Sequence, residues 1–224
     1  MVGVRVEHRE DTAMIIGHFS DLHSDYRRIV GTPDVWVSTG DIFPNWSRGD
    51  VSVEVPYQMD WFQRNAGKLV ARLGGKPVIC VSGNHDYVSL AELLRARGVE
   101  TYDVSEGPVE FGGQTFAGFR EVPFIAGEWA GEEFDLGPMV ERAFAQNPTI
   151  LLTHAPPAGI LDDLAHHGRC GVGAAPLAKA LTYWPHRITH HFFGHVHENG
   201  GKMVEEMGIQ FYNGSGTCRS IEVG

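Results

Sequence analysis

The sequence predicts an α/β fold carried by a largely parallel sheet. Apolar segments of strand length alternate with segments of helical spacing, the order expected of βαβα units. Some of the apolar segments, Val-Ile-Cys-Val at 78–81 above all, run on without polar alternation, as strands covered on both faces do. The third observation is chemical. These segments break off into Asp, Asn or His, and the carboxyl ends of strands in such sheets are where ligands usually bind. Residues 77–86, P-V-I-C-V-S-G-N-H-D, set the pattern. Taken alone, this stretch reads equally as a strand entering an ordinary polar turn, because Gly-Asn and His-Asp are common turn pairs.

Val2, Val4 and Val6 alternate with polar residues and suit an edge strand. Residues 13–19 form an apolar strand ending in Ser20-Asp21-Leu22-His23, where Asp21 and His23, two apart, project the same way from an extended chain. Val35–Ser38 is the next strand and runs into Thr39-Gly40-Asp41. A loop with Gly and Ser spans Pro44 to Pro56; helical spacing then covers 57–73, and Gly74-Gly75 stops it. After the strand at 78–81, Leu90, Leu93 and Leu94 give a short helix over 89–97. Val109–Phe111 and Gln114–Phe119 read as a hairpin about Gly112-Gly113. A helix is expected over 132–146, with Pro138 marking a start or a kink, and 149–153 is a strand ending in His154. The connection 155–173 is long enough to be functional or mobile, and Asp162 and Asp163 within it suit turn or helix capping. Residues 174–181 are helical, His190–Phe193 is a strand followed by Gly194-His195-Val196-His197, and 203–223 hold two or three short strands.

No linker interrupts the 224 residues, which predicts one domain over 1–224. A formal charge of −10 excludes non-specific attraction to nucleic acid or an anionic membrane. A phosphate-bearing partner must therefore be held locally, by metal or by a few basic residues. Cys80, Cys170 and Cys218 are odd in number and lack C-x-x-C spacing, the pattern of a reduced, cytoplasmic protein. The N-terminus is neither a secretory nor a myristoylation signal. No apolar stretch approaches the ~20 residues that cross a bilayer, so no membrane association is expected.

Five apolar segments thus end in donor residues: Asp21 and His23, Asp41, Asn84 and His85, His154, and His195 and His197. Imidazoles, carboxylates and one amide oxygen, with no thiolate, suit borderline to hard ions such as Mn, Fe or Zn. Seven of these eight as ligands are too many for one catalytic ion with an open position and suffice for two that share a carboxylate.

S-D-L-H, G-D, G-N-H-D, a lone T-H and G-H-V-H, in that order, resemble the signature of the calcineurin-like metallophosphoesterases from Asp21 to His197. The resemblance implies a four-layer α/β/β/α sandwich of two mixed β-sheets flanked by helices, with a dinuclear metal centre at the strand ends. It implies that Asp21, His23, Asp41 and His197 hold the first ion, that Asp41 bridges, and that Asn84, His154 and His195 complete the second. The ions would be Mn²⁺, Fe²⁺/Fe³⁺ or Zn²⁺. His85 would contact phosphate as the candidate general acid. One departure stands out: the family's G-D-x-x-D places a second acid where this chain has Pro44. In the phosphoprotein phosphatases that acid pairs with the G-N-H histidine. Asp86 is the acid next in line for the role; with no such neighbour His85 keeps an ordinary pKa of about 6.5.

T-H-A-P-P, the long connection, Gly168-Arg169-Cys170-Gly171 and G-H-V-H-E are similar to the small phosphodiesterase-like branch. Arg120, His166, His167 and Arg169 are candidate substrate contacts. The expected function is hydrolysis of a small phosphoester, such as a cyclic nucleotide, by metal-activated water. Phosphomonoesterase activity is a second reading. A catalytically silent interaction module is a third, disfavoured because no ligand position is lost.

Overall fold

The computed structural model describes residues 4–5, 13–47, 49–124, 129–164 and 171–224. In chain order its strands are β1 (Val4–Arg5), β2 (Met14–Ser20), β3 (Val35–Ser38), β4 (Val78–Cys80), β5 (Thr101–Asp103), β6 (Val109–Phe111), β7 (Gln114–Phe119), β8 (Val122–Pro123), β9 (Glu132–Glu133), β10 (Ile150–Thr153), β11 (His190–Phe193), β12 (Met203–Glu206), β13 (Ile209–Asn213) and β14 (Thr217–Val223). The helices are α1 (Val51–Leu73), α2 (Leu90–Arg95), α3 (Gly137–Ala145) and α4 (Ala175–Tyr183).

Twelve of these strands fall into the two large mixed sheets expected, in the orders β14-β2-β3-β4-β5 and β1-β6-β7-β10-β11-β13-β12, and β8 pairs with β9 apart from them. Each has a parallel centre, β2 to β5 in the first and β7, β10, β11 and β13 in the second. Antiparallel strands border these centres: β14 on β2, β6 on β7, and β12 on β13.

Strand alternation sorts the apolar side chains into three layers of contact. Val35 and Val37 of β3 meet Ile150 and Leu152 of β10 in the core between the sheets. Trp36, on the opposite face of β3, packs with Phe62, Ala66 and Leu69 of α1, and its Nε1–H donates to the Leu73 carbonyl (3.0 Å) at the helix end. Leu151 of β10 joins Val140 of α3 and Leu177 of α4 outside the second sheet. The unbroken apolar runs of the sequence are therefore strands covered on both faces, and the layers are α/β/β/α.

Two helix starts differ from expectation. Helix α1 begins at Val51 rather than 57 and contains Pro56, because Asp50 caps it by accepting from Ser52 N–H (3.0 Å). Glu54, fully buried in its first turns, accepts from the amides of Trp46 (2.9 Å) and Ser47 (2.5 Å) and so holds the preceding loop against the helix. Helix α3 begins at Gly137 with Pro138 in its first turn; Glu132–Glu133, expected as helix, instead pairs with β8.

Candidate metal centre

The carboxyl ends of β2, β3 and β4 meet those of β10 and β11 across the two sheets. Parallel pairing continues beyond the strands: Asp21 N–H donates to the Gly40 carbonyl (2.9 Å), His23 N–H to Asp41 (3.0 Å) and Ser24 N–H to Ile42 (2.8 Å). Gly194 N–H donates likewise to the His154 carbonyl (2.9 Å). Close approach demands small residues here, since a Cβ on Gly83 would lie 2.1 Å from Asp41 Oδ1, and one on Gly194 would lie 2.1 Å from Asp21 Oδ2. The same crowding fixes Asp21, His23, Asp41 and His195 at φ of 49°, 40°, 56° and 69°. This left-handed region costs a side-chain-bearing residue about 1–2 kcal/mol, and such outliers gather at functional sites.

Asp21 (4% exposed), Asp41 (1%), Asn84 (2%) and His154 (0%) are buried. His197 Nε2 lies 3.0 Å from Asp21 Oδ1 and 3.4 Å from His23 Nε2. His154 Nε2 and His195 Nδ1 both lie 3.0 Å from Asn84 Oδ1, and His154 Nε2 lies 3.3 Å from Asp41 Oδ2. Atoms bound to one ion at about 2.0–2.2 Å stand about 3–3.5 Å apart, so these spacings fit ligand sets. Two triads have ligand atoms within 4.8 Å of one another, Asp21/His23/His197 and Asp21/Asp41/His154. Asp21 thus lies within reach of both groups.

The charge balance points the same way. Among the described residues neither Asp21 nor Asp41 has an Arg or Lys partner; their field acts on the imidazoles. Burial disfavours the cation at His154, yet Asp41 and Asp21 push its pKa up to about 10. A hydrogen bond to Asp21 raises that of His197. Asp41 is itself held far down by His154, against burial. Metal-free, these carboxylates retain protons on their neighbours where cations would offset them. His154 is also oriented: Nδ1 lies 2.6 Å from the Thr39 carbonyl, so that nitrogen donates and Nε2 faces the cluster, where loss of its proton would free a lone pair for a cation. Residue types, spacing and charge all fit a pair of divalent ions.

A family model for the calcineurin-like phosphoesterases matches residues 14–199. The chain belongs to this family. No curated protein matches the sequence. Among the solved structures that match, one crystal structure of 14% identity superposes with a TM-score of 0.62, covering 95% of this chain and 100% of that one, a likeness of fold.

In this calcineurin-like phosphoesterase chain His85 sits over the cluster, part-exposed, with Nε2 3.9 Å from Asp41 Oδ2 and its backbone N–H on Asp41 Oδ1 (2.8 Å). Burial lowers its pKa, against the pull of Asp41. Asp86 is not its acid partner, which corrects the sequence expectation. Asp86 Oδ2 accepts from the amides of Asp41 (2.8 Å) and Gly83 (2.9 Å), and Oδ1 from those of Ile42 (2.9 Å) and Phe43 (3.3 Å). Both oxygens are thereby committed to tying the loop after β3 to the loop after β4. Burial and the like charge of Asp41 push this carboxyl up to about 7, against the amide donors. The side chain at His85 Nδ1 is Asn45, beside Pro44. The Trp129 ring packs on the other side, 4.4 Å between centroids.

Other contributors escape a motif reading. Ser20 and Ser215 hydroxyls donate to Asp21 Oδ2 (2.6 and 3.1 Å), and buried Gln58 of α1 donates to the His85 carbonyl (2.6 Å) while accepting from Tyr87 N–H (2.9 Å). Hydroxyls and amides lack a motif of their own, so the only available signal is proximity to one, as with Ser20 before Asp21 and Asn45 after Pro44. Arg120 lines a cavity next to Trp129. His166, His167 and Arg169 lie outside the described residues. Asp162 accepts from Gly173 N–H (3.2 Å) and closes the long connection, in line with the capping role expected of it. No helix among the described residues is long and apolar enough to cross a membrane.

Proposed function

We propose that this chain, as a single domain, is a dinuclear-metal phosphodiesterase that hydrolyses a small phosphoester, with a cyclic nucleotide among the candidates. The observation that carries the reading is the pair of overlapping donor groups around buried Asp21 and Asp41, with part-exposed His85 beside them. Asp21, His23, Asp41 and His197 would hold one ion, and Asn84, His154 and His195 would complete the other with Asp41 common to both, with Mn²⁺, Fe²⁺/Fe³⁺ or Zn²⁺ suited to the donor types. When bound, such ions polarise phosphoryl oxygens and lower the pKa of an attacking water.

The protein's own groups supply position and a proton. Asn45 sits at His85 Nδ1; in the cationic form that a proton donor requires, the ring would donate Nδ1–H to the Asn45 amide oxygen and keep Nε2–H, on the nitrogen nearer Asp41, for a leaving oxygen. Trp129 packs against the ring, 4.4 Å between centroids and tilted by 58°, and so helps to position it. Asp41 fixes the backbone from which His85 projects. Free Cys80 and Cys218 support placement in the reducing cytoplasm.

Purified protein is expected to hydrolyse bis-p-nitrophenyl phosphate with Mn²⁺, faster than p-nitrophenyl phosphate, and to lose this on chelation. A faster monoester rate would make it a phosphomonoesterase, and near-zero bound metal after growth with Mn²⁺ would favour an interaction scaffold. His85→Ala is expected to slow diesters with poor leaving groups by about 10²–10³-fold, the scale of general acid catalysis. Nitrophenyl esters, which hardly need a proton, should lose far less. Equal losses on both would remove the proton-donor role.

A further inference from the structure

A cavity of about 230 Å³ adjoins the candidate centre, walled by Val51, Val88, Tyr87 and Trp129, with Asp103 and Arg120 on its lining. The shared wall is Trp129, whose ring packs on His85. The next residue, Ala130, donates its N–H to the Asn84 carbonyl (3.0 Å), which ties that wall to the loop bearing Asn84 and His85. The cavity thus lies beside the loop after β4, whose Ser82, Asp86 and Tyr87 line it and which carries Asn84 and His85.

Most of the polar groups at its edge are committed elsewhere. Asp103 Oδ1 accepts from the Ser105 amide (2.8 Å) and hydroxyl (2.7 Å), Ser89 Oγ caps α2 by accepting from Glu92 N–H (3.2 Å), and Asp86 holds its four amides. Arg120 has no ion pair among the described residues. The volume falls below the ~300–1,000 Å³ that encloses a whole drug-sized ligand, so the cavity takes part of a substrate. The walls are apolar and aromatic; among the described residues the lining carries one cation, Arg120, beside the carboxylates of Asp86 and Asp103, whose hydrogen bonds from amides and a hydroxyl leave the guanidinium for a compact, ring-bearing group with a negative charge.

We propose that this cavity is the subsite for the leaving alcohol, and that the alcohol bears a carboxylate or a second phosphate, which Arg120 pairs. The inference rests on the phosphodiesterase reading and narrows its substrate to phosphoesters of small anionic alcohols.

The test compares methyl phenyl phosphate with its 4-carboxyphenyl counterpart on the full, Mn²⁺-loaded chain. Wild-type kcat/KM is expected to favour the carboxylated ester by about 10–50-fold, the scale of one charge-assisted hydrogen bond. Arg120→Ala should bring the ratio near one and Arg120→Lys should restore part of it, whereas a merely structural role would reduce both rates and leave the ratio. A wild-type ratio near one, or a ratio unmoved in Arg120→Ala, overturns the subsite while leaving phosphodiesterase activity intact. If neither ester is cleaved the phosphodiesterase reading fails, and titration with 4-hydroxybenzoate still decides the cavity: binding lost in Arg120→Ala supports it, and binding absent or unaltered overturns it.

Discussion

Asp41→Asn is expected to cut Mn²⁺-dependent diester hydrolysis on the order of 10³-fold, beyond the ~10–100-fold typical of losing an outer-shell partner. The amide keeps the shape, and its oxygen can still accept the His85 N–H (2.8 Å). It removes the charge facing His154 Nε2 at 3.3 Å. The loss should therefore appear in metal binding: fewer Mn²⁺ per chain, and a smaller rise of Tm on adding Mn²⁺ than in wild type, since a ligand at free concentration L stabilises by RT ln(1 + L/Kd), which shrinks as Kd rises. Binding must displace protons that the carboxylates hold on His154, raised to about 10, and on His197, also raised. The wild-type Tm shift should accordingly weaken as pH falls. Full metal content with unchanged activity in the variant would exclude Asp41 as a ligand.

Asp86→Ala should be the most destabilising of these changes, by roughly 3–5 kcal/mol in urea unfolding. The carboxylate is 4% exposed and satisfies four backbone N–H groups that have no other hydrogen-bond partner among the described residues. Unpaired buried donors cost about 1–3 kcal/mol each, offset in part where water enters the space left. Asp86→Asn keeps the volume but turns an N–H toward at least one of those amides, so most of the loss should remain. Activity falls with it, because the same amides place Asp41 and Gly83. A loss below about 1 kcal/mol would mean that the two loops hold each other without this carboxylate.

The donors were legible because each lies within about four residues of the end of an apolar strand. Asp21, Asp41, Asn84, His154, His195 and His197 need only the strand to be recognised and its carboxyl end located. The hairpin at Gly112-Gly113 was legible for a similar reason: both glycines take positive φ, 56° and 75°, in the tight turn between β6 and β7. Helix boundaries were less so. Pro56 reads as a stop, and only the Asp50 cap and the buried Glu54 contacts carry α1 past it.

What the sequence determined by itself was the kind and order of the chemistry: strands covered on both faces, donors at their ends, and an acid missing at Pro44. These are local properties, readable within a few residues. Which groups surround His85 was decided by tertiary structure alone, and it overturned the role expected of Asp86. Asn45 reaches His85 across 40 residues, Asp86 reaches the Asp41 amide across 45, and Ser215 reaches Asp21 across 194. Asn45 and Ser215 carry no periodic or motif signal, so their partners follow only from strand pairing: β3 lies beside β4, which sets the loop of Asn45 against that of His85, and β14 lies beside β2, which sets Ser215 against Asp21.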